Sequence, residues 1–261
     1  MLERLLHRIW NHTLHGAWEY VAVAGVFTLL WLWWHFRPGR RQRLQAKRVG
    51  LPQLRREILT TVASLVVIGS VLPVAYALGL RQYSPFYDAL DGYQHGWVSN
   101  ACVLLLMMAI QDTWFYWTHR LMHHRWLFRW AHVTHHRSTN TNPWSTYSIS
   151  PVEAVVDSGA VIVMLLVLPL TFWPAFIFSW LNTSYAVYTH LGYEIFPQGL
   201  SRHWLGRWIN TSTAHNTHHA RGRYNYGWYF LFWDRMMGTL SPDYETHYSK
   251  AGFLAASAKS R

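Results

Sequence analysis

Three long runs of apolar residues stand out along the 261-residue chain. They extend from about Ala17 to Phe36, from Ile58 to Leu80 and from Trp97 to Trp117. A helix needs ~20 residues to cross the ~30 Å hydrocarbon core of a bilayer. Each run meets that length, so the pattern predicts three membrane-spanning helices. The polar residues within them, Glu19, Gln111 and Asp112, are expected near the ends of the spans.

A fourth apolar stretch, residues 153–190, carries Pro169 and Pro174 near its middle. One continuous helix would leave the chain on the far side of the membrane. A hairpin that turns at the prolines would have arms of roughly 17 residues, which is the short limit for a span, so a re-entrant pair is also compatible. Histidines lie before and after this stretch. If they serve one site, the chain must return to the same side, which predicts the hairpin.

Composition supports a membrane protein. Hydrophobic residues make up 51% of the chain and charged residues only 13%, against roughly 25% charged in an ordinary soluble domain. The 17 Trp and 15 Tyr are typical of a protein with two membrane–water interfaces. The first apolar run lacks a small-x-small cleavage site, so we expect an uncleaved span.

The single cysteine, Cys102, limits the chemistry of the chain. It excludes an intramolecular disulfide, a Cys-based zinc site and an iron–sulfur cluster held by this chain. Its position in an apolar run predicts a buried, inert thiol.

The formal charge of +11 is concentrated between the first two runs. Residues 37–56 contain no acid and eight basic side chains: Arg37, Arg40, Arg41, Arg43, Lys47, Arg48, Arg55 and Arg56. A basic run can bind nucleic acid, but one between two spans is typical of a cytoplasmic loop that faces anionic lipid. We therefore expect no nucleic-acid partner, and we expect the end of the third span to face the cytoplasm.

Eight of the 17 histidines fall in three groups with helical spacing. Residues three or four apart lie on one face of a helix, about 5–6 Å apart, so imidazoles with this spacing can converge on a metal. The groups are His119 and His123; His132, His135 and His136; and His215, His218 and His219, with His190 at the end of the predicted hairpin as a ninth candidate. Divided over two ions, nine imidazoles give four or five nitrogens each and leave positions open for O2 or a bridging oxygen.

The remaining histidines are expected at surfaces or interfaces. They are His7, His12, His15, His35, His95, His203 and His247. His124 should point about 100° away from its neighbour His123 around a helix, so it is not expected to be a ligand.

Imidazole alone leaves the metal open, because zinc, copper, iron and nickel all accept it. The Glu-x-x-His pattern of soluble di-iron bundles and the His-Glu-x-x-His of zinc proteases are absent from the three groups. An all-histidine set beside an apolar membrane region favours O2 activation toward a buried C–H bond. A metal transporter is an alternative, but its ligands would lie near mid-membrane. A zinc hydrolase would need a base, and no Glu lies within the groups.

The segment from Asp112 to Leu240 resembles the fatty acid hydroxylase/sterol desaturase superfamily in the order of its motifs. The motifs are the stretch from Asp112 to His123, His132-Val-Thr-His135-His136, His190-Leu-Gly-Tyr193, His215-Asn-Thr-His218-His219, Asn225-Tyr226-Gly227 and the stretch from Trp233 to Thr239. Asn216 stands where the family often has Asp.

The resemblance implies an all-α integral membrane fold with four to five transmembrane or re-entrant helices and a cytoplasmic helical cap that carries the histidine boxes. Residues 1–110 would form N-terminal helices with the basic loop, and residues 111–261 the catalytic domain, in one structural unit. The nine histidines would hold two iron ions, with O2 as co-substrate. Asp112 and Asp234 would hydrogen-bond ligating imidazoles; for Asp234 the structural alternative is a salt bridge with Arg221 or Arg235.

The implied reaction is hydroxylation of a lipid C–H bond, with desaturation on the same site as the alternative. Fatty acyl, sterol-like and other membrane lipids all remain open as substrates. Electrons would come from a separate donor, a ferredoxin or a cytochrome b5-type protein with its reductase, because the sequence contains no haem motif. The compact chain favours a bacterial inner membrane, with the metal site facing the cytoplasm.

Overall fold

The computed structural model describes residues 2–36, 43–45, 47, 49–83 and 96–251. Five long helices dominate this part of the chain: α1 (Leu2–His35), α2 (Leu51–Ala77), α3 (Trp97–Met122), α6 (Pro151–Val167) and α7 (Phe172–Thr189). The shorter helices are α4 (Phe128–Ala131), α5 (Val133–His136), α8 (Ser212–Arg221), α9 (Phe232–Met236) and α10 (Tyr244–Ala251). Single 3-10 turns occur at Leu80–Tyr83, Pro143–Ser145, Leu200–Arg202 and Gly206–Trp208. Within the described residues, β structure is limited to the isolated bridges of Arg43 with Tyr193 and Ile209 with Phe230.

The three predicted spans are confirmed as helices. Each of α1, α2 and α3 is long and apolar enough to cross a membrane, and the all-α integral membrane fold is the one predicted. The helices exceed the apolar runs: α1 begins at Leu2, α2 begins at Leu51, and α3 continues to Met122. The extension of α3 beyond Trp117 matters for function, because it puts His119 in the last turn of the helix.

The outside of the long helices is covered by apolar side chains. Leu29, Leu59 and Leu105 are each more than 60% exposed, which would be unfavourable in water and suits contact with lipid. Cys102 on α3 is also exposed. The expectation of a buried thiol was wrong because this part of the apolar run faces outward instead of into the bundle.

The fourth apolar stretch forms two helices with a break at residues 168–171. Leu168, which follows α6, and Thr171, which precedes α7, both have extended backbone conformations. Pro174 lies in the first turn of α7, where a missing N–H costs little. Both helices pack on α3.

The hairpin begins and ends at the same end of the bundle. Glu153 in the first turn of α6 contacts His132, and His190 after α7 contacts His135. The chain therefore returns to the side from which it left, as a shared histidine site requires. We term this the histidine end of the bundle.

The described part of the basic segment also lies at the histidine end. Arg43 bridges to Tyr193, three residues after His190, and Arg56 donates a 3.2 Å hydrogen bond to the carbonyl of Arg137. Arg37, Arg40, Arg41 and Arg48 lie outside the described residues. Arg43 and Arg56 thus share a face of the molecule with the histidines, as the alternation of spans predicted.

Polar residues of the spans lie inside the bundle and not near helix ends. Glu19 lies midway along α1, is 3% exposed, and accepts hydrogen bonds from Ser179 and Thr183 of α7 at 2.6 and 2.5 Å. Gln111 and Asp112 on α3 are also buried. The expectation of end positions was wrong. For Glu19 and Asp112 the structure gives the reason, since each carboxylate has polar partners within the protein, which offsets the cost of burying it.

Candidate metal centre

Short helices and helix ends carry all nine candidate histidines. His119 lies in the last turn of α3 and His123 caps its C-terminus, while His190 caps α7. His132 lies between α4 and α5, and α5 itself contains His135 and His136. The remaining three are on α8.

Helix α8 is polar in sequence and yet buried. The Thr211 side chain caps its N-terminus by accepting from the Ala214 N–H, and Gly222 ends it with φ of 66°, a left-handed conformation that glycine adopts without strain. All residues from Ser212 to His219 are buried. Burying a helix this polar is costly unless its side chains have partners, and its histidines find them in the other two groups.

The structure brings the nine histidines together in two clusters. The five-histidine cluster consists of His119, His123, His132, His136 and His218, and the four-histidine cluster of His135, His190, His215 and His219. In each cluster one ring nitrogen from every member lies within 4.8 Å of all the others. This is the division into four and five nitrogens that the sequence predicted for two ions.

The other histidines lie outside both clusters. His124 is exposed, which agrees with the expectation that it points away from His123. His7, His12, His15, His35, His203 and His247 are also outside the clusters, and His95 lies outside the described residues.

Hydrogen bonds on the far side of the rings fix the tautomers of several histidines. The Nδ1 of His119 donates to the Tyr226 carbonyl at 3.0 Å, that of His190 to the Ala186 carbonyl at 2.8 Å, and that of His218 to the Tyr224 carbonyl at 2.7 Å. A carbonyl oxygen can only accept, so Nδ1 carries the proton. In a neutral ring the Nε2 then presents a lone pair.

These lone pairs face one another across short distances. His119 Nε2 lies 2.9 Å from His132 Nε2, and His218 Nε2 lies 3.1 and 3.0 Å from those of His123 and His136. In the other cluster, His190 Nε2 lies 3.2 Å from His135 Nε2 and 3.0 Å from His215 Nε2. The three nitrogens of His123, His136 and His218 are all mutually within 3.1 Å.

A metal ion in each cluster would account for this spacing. Two nitrogens bound to one ion at about 2.1 Å and at right angles to each other are about 3.0 Å apart. The observed Nε2 separations of 2.9–3.2 Å match that value. The donor set therefore fits two ions, each surrounded by converging neutral imidazoles.

Burial keeps the rings in the neutral form that binds metals. Desolvation, followed by repulsion between neighbouring histidines, lowers the pKa of His132, His135, His215, His218 and His219 well below the ordinary range. For His123 desolvation and the proximity of His136 lower the pKa to about 3, and for His136 desolvation lowers the pKa to about 4.

Glu153 is a site residue that the sequence did not predict. Its Oε1 lies 2.7 Å from His132 Nδ1, and both side chains are almost fully buried. A carboxylate at Nδ1 orients the ring and makes its Nε2 a stronger ligand. Glu153 lies 21 residues after His132, and no regular spacing could have connected them. The only local signal is Ser150-Pro151-Val152-Glu153, the start of a capped helix.

Asp112 and Asp234 hold a main-chain loop and do not contact the imidazoles. Asp112 Oδ1 accepts from the Tyr229 and Phe230 N–H groups. The Asp234 carboxylate accepts from the N–H groups of Tyr226 and Gly227. The expected direct contact with a ligating ring was therefore wrong, because five residues of backbone, 226–230, lie between.

The salt-bridge alternative for Asp234 was also wrong. Arg221 pairs with Asp243 at 2.9 Å, and Arg235 lies 3.9 Å from Glu245. Asp234 instead receives the Thr239 hydroxyl in addition to its two backbone donors. Its link to the site is indirect: the Gly227 N–H that donates to Asp234 belongs to the same peptide group as the Tyr226 carbonyl, which accepts from His119.

Comparison with known proteins identifies the family. A family model described as fatty acid hydroxylase matches residues 104–239, a segment that contains all nine histidines and both aspartates. The chain belongs to the fatty acid hydroxylase family. The resemblance drawn from the histidine motifs is therefore confirmed. Sterol desaturases are among the relatives of this chain.

Individual members of the family match most of this chain. It is 32% identical to lathosterol oxidase from Rattus norvegicus over 190 residues, which cover 72% of this chain and 61% of the relative. It is 29% identical to a Delta(7)-sterol 5(6)-desaturase from Gibberella zeae over 188 residues, with 72% and 56% covered. The lathosterol oxidase from Homo sapiens is 29% identical over 187 residues, with 72% and 61% covered.

The match spans between 56% and 61% of the length of these relatives. No solved structure matches the chain. The relatives come from mammals and a fungus, so they do not support the expectation of a bacterial inner membrane. They do support an integral membrane protein of this oxidoreductase family.

Proposed function

We propose that this protein is a membrane-bound di-iron oxygenase that hydroxylates a C–H bond of a membrane lipid, with O2 as co-substrate. Residues 111–261 would supply the catalytic part, and residues 1–110 the N-terminal helices and basic loop of the same unit. Packing of α1 on α7 and of α2 on α6 across that boundary supports a single unit.

The observation that carries the proposal is the pair of histidine clusters. Nine rings, seven of them buried and those of His123 and His136 half-buried, converge in groups of five and four. Hydrogen bonds to main-chain carbonyls direct the lone pairs of His119, His190 and His218 inward. When bound there, two iron ions would supply the activation of O2 that an unactivated C–H bond requires. The chain itself holds the ions through the nine histidines, orients His132 through Glu153, and excludes water by burial.

The position of the clusters argues against a transporter. They lie at the ends of α3 and α7 and on α8, whereas a transport path would place ligands near mid-membrane. Glu153 faces the Nδ1 edge of His132, so it is not placed as the base of a zinc hydrolase. A separate donor, a ferredoxin or a cytochrome b5-type protein with its reductase, would deliver electrons at the histidine end. The basic segment there supports a cytoplasmic position for this end.

Desaturation is the second candidate, favoured by the functions that the names of the relatives state. One is a Delta(7)-sterol 5(6)-desaturase and two are lathosterol oxidases. The two outcomes differ in mass, because hydroxylation adds one oxygen atom to the lipid and desaturation removes two hydrogen atoms.

The test compares lipids from cells that express the protein, its His135→Ala variant and a His124→Ala control. His135 belongs to the four-histidine cluster, whereas the exposed His124 belongs to neither cluster. We expect a lipid with one more oxygen, or with two fewer hydrogens, in cells with the wild type or His124→Ala, and its loss with His135→Ala or when O2 is limited.

Metal analysis of the purified, active protein completes the test. We expect two iron ions per chain in the wild type and in His124→Ala. No new lipid in any of the expressing cells would overturn the oxygenase proposal, and active protein that contains two zinc ions and no iron would overturn the assignment of the metal.

A further inference from the structure

A cavity of about 460 Å³ lies among α1, α2, α3, α6 and α7. This volume falls within the range of small-molecule sites, roughly 300–1,000 Å³. Most of the lining is apolar, for example Leu72, Met107 and Phe178. Polar side chains also line it: Glu19, Tyr147, Ser179, Asn182 and Thr183 form a group beside α7, and His12, His15 and Ser158 line other parts of the cavity.

The polar group has a defined direction of hydrogen bonding. Ser179 and Thr183 each donate to the Glu19 carboxylate, at 2.6 and 2.5 Å. Because the Thr183 hydroxyl donates its proton to Glu19, it can only accept in its 3.3 Å contact with Tyr147, and the tyrosine hydroxyl is the donor there. Two donors occupy a carboxylate that offers about four acceptor positions. Glu19 therefore keeps acceptor capacity toward the cavity.

Asn182 provides the complementary donor. Its Oδ1 accepts from Trp228 Nε1 at 2.8 Å and from the Tyr229 hydroxyl at 2.7 Å. The indole N–H of Trp228 can only donate, so the atom that it contacts is the amide oxygen and Nδ2 is the donor group of Asn182. The polar end of the cavity thus combines one acceptor, Glu19, with one donor, Asn182.

We infer that this cavity binds a lipid alcohol, with its hydroxyl donating to Glu19 and accepting from Asn182 and its apolar body among the surrounding helices. A single hydroxyl oxygen both donates and accepts, as this pair of partners requires. A fatty acid anion offers only acceptors and would bring a second carboxylate against Glu19. A two-chain phospholipid is far larger than the cavity. The inference rests on the proposed function in that it names the substrate class of that oxygenase.

The direction of the helices orients the bound lipid. Thr183 lies seven residues before His190 on α7, or about 10 Å along the axis at 1.5 Å per residue. The apolar lining residues Leu72 and Tyr76 lie toward the C-terminus of α2, which is the end remote from the histidines. The hydroxyl end would therefore face the histidine end, and the apolar end would point away from it.

Direct binding to the metal-free 261-residue chain in lipid nanodiscs tests the inference without any need for catalysis. The probes are cholestanol and 1-hexadecanol, each with its methyl ether, and palmitate. We expect at least one alcohol to bind about tenfold or more tightly than its ether, since an ether cannot donate to Glu19. Palmitate should bind more weakly than hexadecanol.

Two serines that line the same cavity give a matched control. Ser179 donates to Glu19, whereas Ser158 donates to the Ala154 carbonyl. Ser158→Ala should leave the alcohol-to-ether ratio unchanged. Glu19→Gln and Asn182→Asp should bring it toward one; the latter keeps the acceptor for Trp228 and Tyr229 and removes the donor. Ser179→Ala should have a smaller effect in the same direction.

The result that would overturn the inference is equal affinity of wild type for each alcohol and its ether, or a ratio that Glu19→Gln and Asn182→Asp both leave unchanged. A tail-labelled photoreactive alcohol should crosslink near Tyr76; crosslinks confined to the region of Tyr147 would overturn the orientation. An oxidised lipid in cells combined with a ratio of one refutes the alcohol site and leaves the oxygenase. A high alcohol-to-ether ratio without any oxidised product in cells supports the alcohol site and refutes the oxygenase.

Discussion

The contact between Glu153 and His132 predicts that this carboxylate strengthens metal binding. We expect Glu153→Ala to lower iron affinity about 10–100-fold, since removing the partner of a ligating ring frees its orientation and weakens its basicity. Glu153→Gln keeps an acceptor and should lose less. Competition with a soluble iron chelator measures the affinity. Glu245→Ala is the control, because Glu245 accepts from Ser201 away from the clusters. An equal loss in both alanine variants would contradict the assignment.

Individual histidines also set the response of the metal-free protein to acid. Burial lowers the pKa of His136 to about 4 and of His123 to about 3, whereas in the unfolded chain both titrate near about 6.5. Between those values only the unfolded state binds the protons. The free energy of unfolding should therefore be highest above pH 6.5 and fall as pH is lowered toward 4.

Thermal unfolding of the metal-free protein in detergent, from pH 8 to pH 4.5, measures this response. The midpoint should fall over that range, and His136→Gln should reduce the fall, while exposed His124→Ala should leave it unchanged. A midpoint that stays constant below pH 6.5 would show that the rings are not buried in the neutral form.

At the scale of residues, the sequence predicted well which histidines come together, and it predicted their hydrogen-bond partners poorly. The nine histidines recur at helical spacings, so local geometry alone placed most of them on common faces. Glu153 and Glu19 lie far along the chain from the groups they contact, at separations set by tertiary packing. Asp112 and Asp234 were recognised as important residues, yet their role depends on a loop conformation that no spacing encodes.

At the scale of elements, loop 224–230 connects the carboxylates to the five-histidine cluster. Asn225 begins its central part with φ of 60°, and a side chain on Gly227 would meet the Phe230 carbonyl oxygen at 2.2 Å. The loop supplies the Tyr224 and Tyr226 carbonyls to His218 and His119. Both of these histidines belong to the five-histidine cluster, so the loop supports one metal position more than the other.

Asp234→Asn should therefore affect the two metal positions unequally. The variant loses charge and one acceptor at the N–H groups of Tyr226 and Gly227, which loosens the loop under His119. We expect iron content to fall from two ions per chain toward one, with the four-histidine cluster retained. Asp243→Asn, in an exposed pair with Arg221, should keep both ions. Parallel loss of both ions in Asp234→Asn would indicate general unfolding instead.

The hydrophobic pattern predicted the long helices, but it did not predict the end of α3 or the burial of α8. The apolar runs located α1, α2, α3 and the hairpin, and the prolines located its break. The pattern could not show that α3 continues to Met122, because the last turn is polar and histidine-bearing. It also could not show that α8 is buried, since its burial depends on contacts with histidines from α3, α5 and the end of α7.

At the scale of the whole molecule, the basic segment and the histidines lie at one end of the bundle, and this arrangement predicts membrane topology. We expect the histidine end in the cytoplasm.

Cysteine labelling tests this orientation. In a Cys102→Ala background, Lys250→Cys on α10 marks the histidine end and Gln82→Cys, beyond α2, marks the opposite end; both positions are exposed. A membrane-impermeant maleimide added to intact cells should label Gln82→Cys only. Lys250→Cys should react only after the membrane is opened, because α2 crosses the bilayer between the two positions. Labelling of both from outside would refute the crossing, and labelling of Lys250→Cys alone would invert the orientation while leaving the fold intact.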